Sequence, residues 1–413
     1  MAASGTSAQV AYSQFESVHG TTPASPQFTV LRAISRNINL KKTALESAEV
    51  RASRQRTDVR HGFNQVEGAI QVELALDAHN DLLLASVGTN AWFSATTVTH
   101  TGSTLTIGAS NNITRSTGNW FDDQYRPGDW VVTSGFPTSG NNKELRINAM
   151  NANGLEITVA QTLSAEGGDA DSQVAYIGKK CTVSSIGQAL KTVTVEREIL
   201  DLDSAGLDLW QLFKGVAVNS LNVSAQPDAL LLATFNLLGM TASRLDNAAT
   251  TDTSGGYTAS PTSVVGSPPL AGIDTTFYMG GSTFPATGFE FTIDNQRTLV
   301  AELGKVSSSD IYEGVSKVSG SLNIILASTI FPTRFQDETV LTGGFQIRAN
   351  ELGSTNFLAF NFYGVKFASD EIDPPQNGPV IQTLSWEALA RTFGTAAAVE
   401  TMHIQRSLSA LGT

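Results

Sequence analysis

The nine residues Val66–Leu74, VEGAIQVEL, return in altered form as Val318–Leu326, VSGSLNIIL. Alternate residues of a strand face opposite sides of a sheet. In the first segment Val66, Gly68, Ile70, Val72 and Leu74 share an apolar face, and Glu67, Ala69, Gln71 and Glu73 share the other. In the second, Val318, Gly320, Leu322, Ile324 and Leu326 are apolar, and Ser319, Ser321, Asn323 and Ile325 lie opposite. A glycine falls at the same place in each. Farther on, FKGVAVNSLNV from Phe213 and FYGVKFASDEI from Phe362 each carry an aromatic residue shortly before Gly-Val. Nineteen residues after Gly215 and after Gly364 come Thr234 of TFNLLG and Thr383 of TLSWEA, with no gap. FTVLRAI from Phe28 matches FEFTIDN from Phe289 only loosely. Repeated order with repeated spacing points to an internal duplication, and so to two domains of one topology.

The same spacing locates an insertion. Gly68 and Gly215 are 147 residues apart, Gly320 and Gly364 only 44, so the first copy carries about 100 more residues, enough for a small domain. Short Thr- and Val-rich runs from Trp92 to Gly178, with Asn153-Gly154 between two alternating runs, predict a small β-barrel or sandwich hung on the first domain. Asn247–Gly272, rich in Ser, Thr, Gly and Pro, reads as a linker. The run DAHNDLLLASVG predicts a helix with Asp77 as N-cap and Gly88 as its stop. The expected fold class is therefore mainly β: two tandem β-sandwich domains with flanking helices and an inserted small β domain.

Composition excludes several classes of function. One cysteine, Cys181, allows no internal disulfide and no thiolate zinc site, and suits a reducing compartment. The N-terminus lacks the pattern of a signal peptide, and no run reaches the roughly 20 apolar residues that span a bilayer. A net charge of -12 argues against nucleic acid as a tightly held ligand. The five histidines, His19, His61, His79, His100 and His403, are scattered, and no nucleophile elbow, Walker loop or dinucleotide fingerprint occurs. The acidic clusters at Asp122–Tyr125 and Glu166–Ser172 hold only a fragment of a calcium loop and read as solvated loops. No enzyme, cofactor or metal emerges.

Charge concentrates instead at Lys41–Arg60. Lys41, Lys42, Arg51, Arg54, Arg56 and Arg60 stand against Glu46, Glu49 and Asp58, a local +3 against about -15 elsewhere. Two readings stay open: a solvated hairpin tip, or a contact loop that seats on an acidic surface of another copy. Direct DNA binding ranks behind both, because the segment lacks interleaved aromatics.

The stretches ESVHGTTPASPQFTVLRAISRNINL, SAEVRASRQRTDVRHGFNQVEGAIQVEL and DDQYRPGDWVVTSGFPTSGNNKELRINAM resemble the tail tube proteins of long-tailed, siphovirus-like bacteriophages, best over residues 12 to 90. The resemblance implies sandwiches flanked by a helix, with four strands per domain lining an inter-subunit barrel. Six domains would close a ring, so a duplicated chain would close it as a trimer. Rings would stack through a long loop between the first strands, where residues 41 to 61 lie: Lys41, Lys42, Glu46, Glu49, Arg51, Arg54, Arg56 and Arg60. The equivalent segment from Ala301 is shorter and acidic. The implied lumen is lined by Glu67, Ala69, Gln71, Glu73, Ser319, Ser321 and Asn323. Implied partners are further copies of the chain, the tape-measure protein, tail terminator and tip proteins, and viral DNA in transit, with no membrane. The place is the virion, after synthesis in the host cytoplasm.

The domains expected are an arm at 1–27, a first tube domain at 28–91 and 179–241, the insertion at 92–178, a linker at 242–287, a second tube domain at 288–390 and an arm at 391–413. The insertion would sit outside the tube, so its removal is expected to leave assembly intact. The competing reading is a virion decoration or receptor- and glycan-binding protein, with Trp92, Trp120 and Trp130 exposed in a cleft of the insertion. Core tryptophans are the plainer expectation.

Overall fold

The computed structural model describes residues 8–48, 58–89, 91–183, 190–199, 209–246, 266–341, 345–394 and 398–407. The first sandwich contains β1 (Ala8–Phe15), β2 (Ala33–Glu46), β3 (Val59–Glu73), α1 (Asn80–Val87), β4 (Val193–Ile199), β5 (Leu209–Ala225), β6 (Leu232–Gly239) and β7 (Thr241–Asp246). The second contains β8 (Thr275–Met279), β9 (Ala286–Asp294), β10 (Lys317–Ile325), α2 (Ile330–Gln336), β11 (Phe345–Asn350), β12 (Phe357–Phe362), β13 (Lys366–Asp373), β14 (Ile381–Ala388) and β15 (Met402–Arg406).

Each sandwich has an inner and an outer sheet, and the strand orders repeat. The inner orders are β2-β3-β6-β5 and β9-β10-β14-β13. The outer orders are β1-β4-β5-β7 and β8-β11-β12-β15. The single strand β5 does the work of both β12 and β13: Leu209–Lys214 pairs in the outer sheet, and from Ala217 onward the strand pairs in the inner one. The crossing lies at Gly215, φ +63°, and its counterpart is Gly364, φ +54°, a left-handed backbone that favours glycine. The ladders also slip at matching places, between Val218 and Ser220 and between Phe367 and Ser369. A β-bulge kept at the same distance from the same glycine is a mark of common topology.

The two sandwiches are not beads on a string. The inner half of β5 pairs antiparallel with β9, from Ser220 opposite Asp294 to Ala225 opposite Phe289. The inner strands therefore form one sheet, β2-β3-β6-β5-β9-β10-β14-β13. Both domains share one hydrophobic core that runs from Val10 and Ile70 through Leu221 and Phe289 to Trp386 and Ile404. Polar groups lock the junction. Asn295 Nδ2 donates to the Ser86 carbonyl at 2.9 Å, and Arg297 reaches the carbonyls of Ala85 and Val218, so the last turn of α1 finds its acceptors satisfied by the second domain. The helix begins at Asn80 with His79 in the capping position, not Asp77. The Asp77 carboxylate instead accepts from the Ser267 N–H at 2.9 Å. Gly88 ends the helix in the left-handed conformation, as its sequence position suggests.

Several segments read as arms or linker contribute strands. β1 opens the first outer sheet, β7 closes it, β8 opens the second, and β15 pairs with β12 on one side and with Lys179–Thr182 on the other. In β15 all five residues are buried, His403, Gln405 and Arg406 among them. A strand covered on both faces shows no alternation, and its polar residues gave it the look of an exposed tail.

What covers it is the insertion. Its strands between Val98 and Tyr176 have their own core, including Leu105, Trp120, Val131, Leu145 and Val174. It is spliced into the first domain, yet it docks on the outer sheet of the second. Asp129, fully buried, accepts from Lys180 Nζ and from His403 Nε2, each at 2.9 Å. The Tyr363 hydroxyl lies 2.6 Å from His403 Nδ1 and holds the ring from its other side. Burial alone would push the Asp129 carboxyl up; Lys180 and His403 override it and hold it below the ordinary carboxylate range. Arg126 pairs with Glu400 at 2.7 Å, Gln405 bonds both backbone groups of Trp130, and the Arg348 guanidinium lies 3.8 Å from the Trp130 ring centre. The expectation that 92–178 is dispensable does not fit this interface, because excising it strips Gln346 of its side-chain partners and takes Asp129 from His403 and Glu144 from Arg348. Removing one member of a buried ion pair costs about 3–5 kcal/mol. Lys180→Met should therefore lower stability in a denaturant titration by that order, and the double variant Asp129→Asn/Lys180→Met should recover much of the loss. Additive losses would show that the pair is not coupled.

Candidate functional site

The outward face of the inner sheet is mostly polar across both domains, with Leu232, Leu238, Ile325 and Ile381 as apolar members. From β2 to β13 it presents Asn37, Asn39 and Lys41; Glu67, Ala69, Gln71 and Glu73; Thr234 and Asn236; Ser220, Asn222 and Ser224; Glu290, Thr292 and Asp294; Ser319, Ser321 and Asn323; Thr383, Ser385 and Glu387; and Glu371 and Asp373. The opposite face is the core, with Ile38, Val66, Ile70, Val72, Leu221, Phe235, Phe291, Val318, Leu322 and Leu384 buried. Each residue proposed for a lumen thus shares this one face, and none of the seven is buried.

The charges on this face are unequal. Glu67, Glu73, Glu290, Asp294, Glu371, Asp373 and Glu387 outnumber Lys41, Lys317 and Lys366, and the three lysines are engaged: Lys41 with Glu67, Lys317 with Glu387 at 3.5 Å, and Lys366 with Glu338 at 3.0 Å. Side-chain amides tie neighbouring strands. Asn222 Nδ2 donates to Glu290 Oε1 at 2.7 Å across the domain junction, and Asn236 Nδ2 donates to Ser220 Oγ at 2.8 Å. Two shallow depressions occupy equivalent places. One is bordered by Asn37, Lys41, Glu67 and Asn236 over Gly68, the other by Glu290, Lys317, Ser319 and Glu387 over Gly320.

Those two glycines explain why the repeated segments share one. A Cβ on Gly68 would lie 2.1 Å from the Asn37 carbonyl oxygen and 2.6 Å from Ile38 Cα. A Cβ on Gly320 would lie 2.2 Å from the Glu290 carbonyl oxygen and 2.5 Å from the Trp386 ring. In each copy the glycine lets the neighbouring first strand approach closely, and in the second it also makes room for Trp386, which packs on Phe362 at 4.8 Å.

The sheet ends in two edges, β2 and β13, which have no strand partner on their outer sides among the described residues. The β13 edge carries Glu371 and Asp373, with Ile372 at 40% exposure; the β2 edge carries Arg36, Lys41 and Lys42. Arg197 Nη1 donates to the Ile38 carbonyl at 2.8 Å, covering one acceptor of the β2 edge with a side chain. Charged side chains along an edge are the usual guard against indiscriminate pairing.

The basic segment is a projecting hairpin and not a loop from residue 41. β2 and β3 stay paired to Glu46 opposite Val59, so Lys41, Lys42, Glu46 and Arg60 lie on strands, exposed beyond the core. Glu49, Arg51, Arg54 and Arg56 lie outside the described residues. The corresponding connection in the second domain, from Thr298 to Tyr312, folds back on the first: Asn64 N–H donates to the Val306 carbonyl at 2.7 Å, and His19 meets Asp310 at 2.6 Å.

The residues considered for other chemistry do not assemble into a site. Trp92, Trp120 and Trp130 are buried, so they do not form the exposed cleft that glycan binding requires. Among the described residues no group of three or more His, Cys, Asp or Glu is placed to hold a metal ion. The Asp129–Lys180–His403 cluster, which brings His403 beside residues more than 200 positions earlier in the chain, is sealed in an interface. No local sequence signal reveals it.

Tandem sandwiches with a shared polar sheet define a structural subunit whose exposed chemistry lies in a face and two edges. A family model described as phage tail tube protein matches residues 5–388, and the chain belongs to that family. It is a component of the virion. No curated protein matches it. Because Gly320 admits no side chain, Gly320→Val should cost about 1–3 kcal/mol of stability by strain alone. A thermal melt within error of the parent would show that the β9–β10 approach relaxes freely.

Proposed function

We propose that three copies of the chain close their inner sheets into one barrel, and that the polar face becomes the wall of a conduit for viral DNA. The observation that carries the reading is the β5–β9 ladder. It joins the third strand of one sandwich to the first strand of its duplicate, and it leaves free the same two kinds of edge, the first strand β2 and the third strand β13. A contact between unlike surfaces repeats until it closes, and a twisted sheet extended this way closes as a ring. Carrying the internal register over through the matched glycines and bulges sets Ser369 opposite Lys41, Glu371 opposite Asn39, Ile372 opposite Ile38 and Asp373 opposite Asn37. Ile372 then completes the core beside Ile38, and Glu371 stands diagonal to Lys41, a favourable cross-strand pair.

Size supports three copies. With strands about 4.8 Å apart and tilted about 40°, three eight-stranded sheets give a barrel about 48 Å across between backbones and about 38 Å clear of side chains. That admits a double helix with water around it. The wall of carboxylates, amides and hydroxyls, with its lysines already paired, offers phosphates few anchors, so DNA passes without tight binding. The projecting strands with Lys41, Lys42, Glu46 and Arg60 are a stacking element toward the next ring, and Glu49, Arg51, Arg54 and Arg56 of the intervening sequence belong to the same proposal. Tape-measure, terminator and tip proteins are the partners this role requires, and a long-tailed phage is the setting.

Light scattering of the purified chain should give three times the chain mass, and negative-stain images should show hollow rods. Glu371→Lys with Asp373→Lys sets like charges against the β2 edge, and should hold the chain as a folded monomer with an unchanged melt. Rings formed normally by that variant would exclude β13–β2 pairing.

A further inference from the structure

We propose that the turn Val300–Val306 is an apolar knob by which one ring docks on the next, seated in a notch of a second copy of this chain. The notch lies at the opposite end of the same β5–β9 junction. The inference rests on the tube reading and extends it to the axial contact.

The knob is built, not merely exposed. Leu303 is 104% exposed at its tip, flanked by Val300 at 46% and Val306 at 65%. The turn that presents it is pinned from within: Glu302 accepts from the Ser309 N–H at 2.9 Å, from Ser309 Oγ at 2.7 Å and from Lys305 Nζ at 2.7 Å, and Gly304 takes φ +80°. The Asn64–Val306 backbone bond anchors its base to the first domain. A fixed turn that holds a leucine in water is preorganised for a partner, because the ordering cost is met before contact.

The seat is at the far end of β9. Strand directions alternate across the inner sheet, so β9 starts at the end where β5 finishes and runs toward the knob. Between the end of β5 and the start of β9 lies a cavity of about 190 Å³, floored by Pro227, Phe277, Phe284, Phe289 and Ile347 and rimmed by Gln226 and Thr276. An apolar cavity of about 150 Å³ holds a benzene molecule, so this one holds a leucine side chain. Ile273, 81% exposed on the adjoining Gly272–Asp274 turn, widens the apolar surface at that end. One strand thus joins seat to knob, and translation along the strand direction carries the knob of one copy toward the seat of another. An apolar centre within a polar rim is the usual anatomy of a specific contact.

The test uses the full chain. Leu303→Asp should give rings of normal mass and unchanged melt but no rods in negative stain, and Leu303→Met should restore the rods. Leu303→Cys with Thr276→Cys should, on mild oxidation, give a covalent ladder in rods and none in dispersed rings; Cys181 is buried and does not compete. Rods of parental length from Leu303→Asp, or intact rods of the double-cysteine chain without a ladder, overturn the knob and leave the tube reading standing. A parental chain that forms neither rings nor rods removes both.

Discussion

Six register pairs between β5 and β9, from Ser220 opposite Asp294 to Ala225 opposite Phe289, turn two sandwiches into one sheet, and the other features of the molecule follow from that ladder. Main-chain pairing across a domain boundary satisfies edge groups that would otherwise face water. It also aligns the two inner faces, so that apolar residues meet in one core and polar residues share one outward surface. Asn295 and Arg297 secure the same junction from the side by bonding the end of α1. The ladder moreover fixes which edges stay open. Having joined a third strand to a first strand once, the chain presents the same pair again at its two ends.

The two sandwiches are alike in backbone geometry and differ in the connections between their strands. Gly215 and Gly364, the two bulges, and Gly68 and Gly320 are retained because each solves a problem of backbone geometry. The connections between first and second strands differ outright: one is a projecting basic hairpin, the other a short turn folded back on its neighbour. Their ends of the sheet therefore offer different chemistry within one subunit, charged at the hairpin and apolar at Leu303. Charged contacts weaken with salt whereas apolar ones persist.

The insertion meets the second domain through polar groups beside the apolar contacts of Phe121 and Trp130 with Tyr363, Phe393 and Phe357. Asp129, Lys180, His403, Tyr363, Arg126, Glu400, Gln346 and Gln405 meet where the outer sheet of the second domain would otherwise be exposed. Buried charges add little net stability, but they penalise any arrangement that leaves one unpaired. That suits an inserted domain that must sit in one orientation on a sheet to which it is not directly spliced.

Alternation alone made the duplication legible, because a strand with one wet face writes period two into the sequence. Val66–Leu74, Val318–Leu326 and the spacing from Gly215 to Thr234 and from Gly364 to Thr383 thereby set the mainly β class, the repeat, the presence of an insertion and the polar identity of the inner face. Strands buried on both faces write no such signal. β15, with His403, Gln405 and Arg406 inside, read as a tail, and β7 and β8 fell almost wholly within the span 242–287 assigned to the linker. Only the tertiary structure decided that the sandwiches share a sheet, that the insertion rests on the second domain, and that the second connection presents Leu303 to solvent. Each of these depends on contacts between residues far apart in the chain, where local pattern carries no information about distance.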